Sequence, residues 1–199
     1  MKILAFSDLH RDRAAAEAIV SASADADLVI GAGDFATMGL GYDDTLEPLR
    51  KLRAPLVVVA GNHDSLDALR TACADWTTID ILHGTAVKFG RLVIYGLGFE
   101  VSTVARGSWN SQMSEQDAER QLMSCPENAL IVTHAPPFGV ADLQRDGTHE
   151  GSHAIRHAIE TKRPKLNLCG HIHHSWGSSG SIGMCRVHNL GPRAQWFEL

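Results

Sequence analysis

Three observations predict an α/β fold: a two-sheet β-sandwich flanked by helices. The N-terminal part alternates short apolar strands with helical stretches, which implies right-handed crossovers and a parallel sheet. The middle and the C-terminal end carry closely spaced short strands, which implies antiparallel additions. No internal repeat, low-complexity segment or linker interrupts the chain, so residues 1–199 are expected to form a single domain with no cap domain.

Residues 1–6 are apolar and read as a buried strand, broken at once by polar Ser7-Asp8-Leu9-His10. Residues 12–24 are alanine-rich with apolar positions at helical spacing and predict a helix. Residues 28–30 form a second apolar run that ends in Gly31-Ala32-Gly33-Asp34. Residues 45–52 suit a short helix with Pro48 in its first turn, where the missing N–H costs nothing. The β-branched run 56–60 predicts a buried strand ending in Gly61-Asn62-His63-Asp64, and a helix over 66–72 follows.

Residues 79–96 break into short runs at His83-Gly84 and Phe89-Gly90-Arg91, which predicts antiparallel strands and a hairpin. Residues 101–113 are polar and aperiodic, the signature of a surface loop. Ser114-Glu115-Gln116-Asp117 has capping-box spacing and opens a helix to about residue 124. Residues 130–132 and 166–169 are two more apolar strands, ending in Thr133-His134-Ala135-Pro136-Pro137 and Gly170-His171-Ile172-His173. Between them residues 152–162 read as a helix stopped by Pro164, and residues 184–190 and 194–199 as two closing strands.

Composition narrows the class. Hydrophobic residues at 44% and charged residues at 21% suit a globular core rather than disorder. A net charge of −5 argues against sequence-blind binding to nucleic acid or an anionic membrane. An anionic substrate stays compatible with it, because bound metal ions reverse the local field. The N-terminus turns acidic at Asp8, too soon for a signal peptide, and no apolar run nears the roughly 20 residues of a membrane span. Cys73, Cys125, Cys169 and Cys185 are widely spaced with no C-x-x-C pair, so a reducing, cytoplasmic location is expected.

The histidines decide the chemistry. Five apolar strands end in polar clusters: Asp8/His10, Asp34, Asn62/His63, His134 and His171/His173. Ligands of open α/β sheets bind beyond the carboxyl ends of the strands, so clusters spread over most of the chain should converge there. Glycines before Asp34, Asn62 and His171 permit sharp turns and close approach. Imidazole, carboxylate and one amide oxygen favour borderline ions such as Mn, Fe or Zn, and the lack of thiols argues against a structural zinc. Seven candidate ligands, Asp8, His10, Asp34, Asn62, His134, His171 and His173, exceed one tetrahedral ion but suit two sharing a carboxylate. Two such ions about 3.5–4 Å apart can activate a hydroxide and clamp a phosphoryl group.

These motifs, Asp8-Leu9-His10, Gly33-Asp34, Gly61-Asn62-His63-Asp64, Thr133-His134 and Gly170-His171-Ile172-His173, resemble those of the calcineurin-like metallophosphoesterases in nearly the whole chain and in order. The segment from His134-Ala135-Pro136-Pro137 through Gly151-Ser152 to His173 is most similar to a small branch related to class III cyclic-nucleotide phosphodiesterases. The resemblance implies a four-layer αββα fold and two divalent metal ions, with Mn favoured. It assigns Asp8, His10 and His173 to one ion, Asn62, His134 and His171 to the other, and Asp34 to both. It makes His63 the residue that faces the leaving group, oriented by Asp64, while a metal-bridging hydroxide attacks phosphorus. Phe35-Ala36-Thr37-Met38 departs from relatives that carry another acid or amide soon after the Gly-Asp pair, which puts the local shape of the site in question.

Taken singly, each motif fits an ordinary turn, cap or core histidine; the case rests on all five strand ends together. His171 and His173 would share a face if their strand continued. His153 and His157 have i, i+4 spacing, but no third ligand is near and their helix should lie outside the sheet edge. Arg11, Phe138 and His149 are candidate substrate contacts, and Arg106 and Trp109 lie in loops that could border the site. The partner expected is a small phosphoester, with no membrane and no nucleic acid involved; the oligomeric state has no signature in the sequence. A phosphodiester is favoured over a monoester, because no second arginine or lysine adjoins a motif to hold a dianion. The alternatives are a phosphomonoesterase and a non-catalytic interaction scaffold on the same fold.

Overall fold

A computed structural model describes residues 1–102, 104 and 106–199. The first half of the chain runs β1 (Lys2–Phe6), α1 (Arg13–Ala22), β2 (Leu28–Gly31), α2 (Tyr42–Leu49), β3 (Leu56–Val59), α3 (Leu66–Ala72) and β4 (Ile79–Leu82). The second half runs β5 (Thr85–Phe89), β6 (Leu92–Leu97), β7 (Glu100–Val101), β8 (Gln112–Met113), α4 (Glu115–Leu122), β9 (Leu130–Thr133), α5 (His153–Lys162), β10 (Leu166–Cys169), β11 (Ser179–Ile182), β12 (Cys185–Asn189) and β13 (Gln195–Glu198). One sheet has the order β13-β1-β2-β3-β4 and the other β11-β12-β10-β9-β6-β5.

The period-2 alternation of apolar side chains builds four layers. Ile3, Ala5, Leu28, Ile30, Val57 and Val59 of the first sheet face Ile94, Leu130, Val132, Leu166 and Leu168 of the second. The opposite face of the first sheet (Leu4, Phe6, Val29, Leu56, Val58) packs on Ala16 and Ile19 of α1, Leu46 and Leu49 of α2, and Leu69 of α3. The opposite face of the second (Tyr95, Leu97, Ile131, Val187) packs on Ala118 and Leu122 of α4 and Ile155 and Ile159 of α5. Strands buried on both faces need apolar residues at every position, which is why they read as unbroken runs. Each such side chain contributes roughly 1.5–3 kcal/mol by leaving water.

Local signals account for most helix boundaries. Asp12, Ser65, Ser114 and Ser152 cap the starts of α1, α3, α4 and α5. Glu115, in the first turn of α4, also accepts from Ser152 Oγ and the His153 and Ala154 N–H groups, so one carboxylate ties α4 to the positive end of α5. All four cysteines are buried and unpaired. Among the described residues no helix is long and apolar enough to cross a membrane.

Several expectations need correction. β4 pairs parallel with β3, because α3 intervenes and returns the chain in the same direction. α2 begins at Tyr42, which puts Pro48 in its last turn rather than its first; the helix ends at the next residue. β12 lies parallel to β10, and its antiparallel neighbour is β11, a Ser-Gly-Ser-Ile strand too short and polar to read as one from sequence. The expected loop over residues 101–113 carries the short β7–β8 ladder at its ends, and its positions 103 and 105 lie outside the described residues. β10 stops at Cys169, so His171 and His173 do not share a strand face.

The two sheets approach closely at Gly96, where an added Cβ would overlap Leu82 Cβ and lie 2.8 Å from Val59 Cγ1. Gly96→Ala is expected to lower stability by about 1–3 kcal/mol through overpacking, read as a lower urea midpoint with the same m-value. An unchanged midpoint would show that the sheets separate freely there.

Candidate metal centre

β1, β2 and β3 run parallel in one sheet, and β9 and β10 run parallel in the other. The loops that leave their carboxyl ends are stitched together by backbone bonds. Asp8 N–H donates to Gly33 O (2.9 Å), His10 N–H to Asp34 O (2.9 Å) and Gly170 N–H to His134 O (2.9 Å). Asp8, His10, Asp34 and His171 all take left-handed backbone conformations, with φ of 54°, 44°, 60° and 70°. Each costs roughly 1–2 kcal/mol in a non-glycine residue, so the surrounding structure must hold them there. Gly33 and Gly61 make that possible. A Cβ on Gly33 would lie 2.6 Å from His134 Nδ1, and one on Gly61 would overlap the Asp34 carboxylate.

The seven predicted ligands meet at this edge. Asp8, His10, Asp34 and His173 present donor atoms that all lie within 4.8 Å of one another, a group that could hold a metal ion. Beside it, Asn62 Oδ1 lies 2.9 Å from His134 Nε2 and 3.1 Å from His171 Nδ1. Asp34 Oδ2 stands between the groups, 3.3 Å from His10 Nε2 and 3.5 Å from His134 Nε2. Asp8 is held in turn by Ser7 Oγ, by Trp176 Nε1 at 3.1 Å and by the His171 N–H.

The hydrogen-bond network fixes which atoms face inward. His134 Nδ1 meets the Ala32 carbonyl at 2.8 Å, so it carries the proton and Nε2 offers a lone pair. The Glu100 carboxylate can only accept, which assigns Asn110 Nδ2 as its donor at 3.0 Å. Asn110 Oδ1 must then accept from Asn62 Nδ2 at 2.8 Å, which turns Asn62 Oδ1 into the site. Two lone pairs, on His134 Nε2 and Asn62 Oδ1, therefore confront each other at 2.9 Å. His10 Nε2 and His173 Nε2 approach to 3.0 Å, where one nitrogen can donate to the other. The His134–Asn62 contact repels unless a proton or cation lies between the two atoms.

The titration behaviour points the same way. Burial lowers His10 to about 4, with Asp8 pulling it up and His173 pushing it down. Burial, then His134, holds His171 well below its ordinary value, and burial also lowers His173. Burial, then Asp64 and Asp8, pushes Asp34 well above the usual carboxylate range. Neutral imidazoles offer lone pairs, and crowded carboxylates are relieved by a positive charge, which a divalent cation supplies. The donors are all N and O, a mixture that suits borderline ions.

His63 does not join the donor set. Its Nδ1 accepts from the Met38 N–H at 3.1 Å, so the neutral ring carries its proton on Nε2. Its ring packs on Trp109 (centroids 4.5 Å apart) and against the edge of His10. Asp64 does not orient it, contrary to expectation. The Asp64 carboxylate is fully buried and accepts from the N–H groups of Gly61, Asp34, Phe35 and Ala36 at 2.8–3.1 Å. It holds the loops that carry Asp34 and Asn62. The segment Phe35-Ala36-Thr37-Met38 thus contributes through its backbone, and its apolar side chains are no defect.

A pocket of about 310 Å³ opens over the donors, lined by Asp34, Asn62, His63, His171 and His173 with Arg106, Trp109, Gln144 and Glu150. Arg11 is turned away and paired with Asp44 at 2.8 Å. Phe138 and His149 line a neighbouring depression that shares Arg106 and Glu150 with the pocket. Phe138 stacks on His153, and His149 bonds Asp142, so neither reaches the donor set directly. His157 lies on α5, away from it. Sequence reading missed Glu100, Asn110, Gln144 and Glu150. Only the density of polar residues in 100–112 hinted at a network there.

Asn110→Ala is expected to weaken one of the two cation positions about 10–100-fold by freeing the Asn62 amide to rotate. Competitive Mn²⁺ titration with a chelator reads this; equal affinity at both positions would remove Asn110 from the account.

Residues 1–197 match the family described as the calcineurin-like phosphoesterase superfamily domain. The chain is 32% identical over 174 residues to the 3',5'-cyclic adenosine monophosphate phosphodiesterase of Escherichia coli (strain K12), covering 81% of this chain and 59% of that protein. It is 25% identical over 156 residues to a protein of Arcobacter nitrofigilis named a probable glycerophosphodiester phosphodiesterase, covering 74% and 56% respectively. The chain thus spans less than two thirds of the length of these curated relatives. The crystal structure of a Thermus thermophilus protein, TT1561, shares the fold, with a TM-score of 0.76 at 20% identity over 98% of this chain and 97% of that one. By its match along residues 1–197, the chain belongs to the calcineurin-like phosphoesterase superfamily.

Proposed function

We propose that the protein is a dinuclear-metal-dependent phosphodiesterase acting on a small phosphodiester. The observation that carries this reading is the convergence of inward donors from five strand ends, with the His134 and Asn62 lone pairs face to face, beside a histidine whose proton sits on a fixed nitrogen. Asp8, His10 and His173 would hold one ion and Asn62, His134 and His171 the other, with Asp34 touching both sets. Manganese suits this mixture of imidazole and oxygen donors. Two divalent ions, when bound, supply a nucleophilic water at neutral pH and Lewis acidity towards the phosphoryl oxygens.

The chain's own residues supply the rest. Asp34 and Asp8 together bring −2 against the +4 of two divalent ions, so the site attracts an anionic phosphate despite the acidic surface. Water adds to phosphorus, the P–O bond to the leaving alcohol breaks, and His63 Nε2–H donates to that oxygen while the proton released by the attacking water restores the neutral imidazole. The Met38 N–H fixes the tautomer for this role, and the Trp109 ring limits how far the imidazole can swing. A diester is favoured over a monoester because Arg106 is the only lysine or arginine among the described lining residues, and because both named relatives are phosphodiesterases.

The test is a substrate panel on Mn²⁺-loaded protein with its metals measured: a 3',5'-cyclic nucleotide, a glycerophosphodiester, bis-nitrophenyl phosphate and mono-nitrophenyl phosphate. Diester turnover should exceed monoester turnover. His63→Ala should keep its metals and lose about 10²–10⁴-fold on alkyl diesters, with a smaller loss on nitrophenyl esters, whose leaving group needs no proton. Full metal loading with background hydrolysis of every ester would favour an interaction scaffold, and monoester preference would favour a phosphomonoesterase.

A further inference from the structure

Resting on the reading of the site as a phosphodiesterase centre, we propose that Glu150 is a specificity-determining residue. Together with Glu100 it offsets the positive charge of Arg106 at the pocket mouth, and so disfavours phosphates that carry two negative charges. Arg106 Nε bonds Glu100 Oε1 at 3.1 Å, and its other arm lies 3.8 Å from Glu150 Oε2. The lining guanidinium is thus flanked by two carboxylates, which leaves the rim with a net charge of −1.

Both carboxylates are built into place. Glu100 is 3% exposed and also accepts from Asn110. Glu150 is positioned by its N–H bond to Asp142 O (3.1 Å) and by the Gln144 amide, which donates to Glu150 Oε2 at 2.6 Å. The loop beneath is closed on the fully buried Asp142, which accepts from the Gly139 and Gly151 N–H groups and meets His149 Nδ1. Glu150 is half-exposed and is held at the pocket edge by its bonds to Asp142 and Gln144.

A phosphodiester carries one negative charge near neutral pH, and a phosphomonoester or inorganic phosphate carries close to two. Each anion must share Arg106 with Glu150, and the second charge doubles the repulsion. The hydrolytic product of a diester is itself a monoester. The same carboxylate that disfavours monoesters on entry therefore helps the product to leave.

The experiment compares wild type, Glu150→Gln and Glu150→Asp, each with equal measured metal content. In Glu150→Gln the ratio of monoester to diester kcat/KM should rise about fivefold, the effect of one partly screened charge at a wet pocket edge. Calorimetry with inorganic phosphate on the metal-loaded proteins should show tighter binding by a similar factor. Glu150→Asp, which keeps the charge, should keep the monoester-to-diester ratio and the phosphate affinity within about twofold of wild type. An unmoved ratio and phosphate affinity in Glu150→Gln, or the same shift in Glu150→Asp, would overturn the proposal. If wild type hydrolyses neither ester, the phosphodiesterase reading falls, while the phosphate titration still decides whether Glu150 acts through its charge.

Discussion

Lone pairs that face one another on a buried sheet edge are the constraint to which the rest of the structure answers. His134 Nε2 meets Asn62 Oδ1 at 2.9 Å. Folding a chain into such contacts costs free energy, as do the left-handed backbones of Asp8, His10, Asp34 and His171. The scaffold offsets that cost with a double-faced core and with one buried carboxylate. Asp64 gathers four backbone N–H groups from the two loops that carry Asp34 and Asn62, and so converts two flexible strand exits into one rigid floor. Divalent cations, when bound by these residues, would turn the repulsion into binding.

Function follows from the separation of tasks at this edge. The donors sit on short loops between parallel strands, where the sheets fix their spacing. His63 is oriented by a backbone N–H from a neighbouring loop, so its proton is directed independently of the donor set. The rim belongs to two longer segments, residues 100–112 and 138–151, joined across the pocket by Arg106 between Glu100 and Glu150. Such segments can vary in sequence without disturbing the donors, which is how one scaffold serves different phosphoesters.

The donor set was legible in the sequence because each residue lies within a few positions of an apolar run, and the run announces both the strand and its end. The layer architecture was legible for the same reason. What escaped depends on contacts distant in the chain. Asp64 read as the partner of its neighbour His63, yet its carboxylate points to residues 34–36. Asn110 and Glu100 fix the amide of Asn62 from a stretch with no periodicity. Arg11 adjoins a donor but turns to Asp44, a surface ion pair invisible from spacing. β11 is Ser-Gly-Ser-Ile, with one buried apolar residue, Ile182, and pairs along the edge of β12.

The central claim, that these seven residues form one two-cation site, is tested most directly by metal stoichiometry. Wild type and Asp34→Ala would be reconstituted with Mn²⁺, freed of excess by gel filtration and assayed by elemental analysis alongside protein concentration. Wild type should retain two ions per chain, and Asp34→Ala should lose both or keep one weakly, because Asp34 touches both donor groups. Wild type retaining no ion, or Asp34→Ala retaining two as tightly as wild type, would contradict the account.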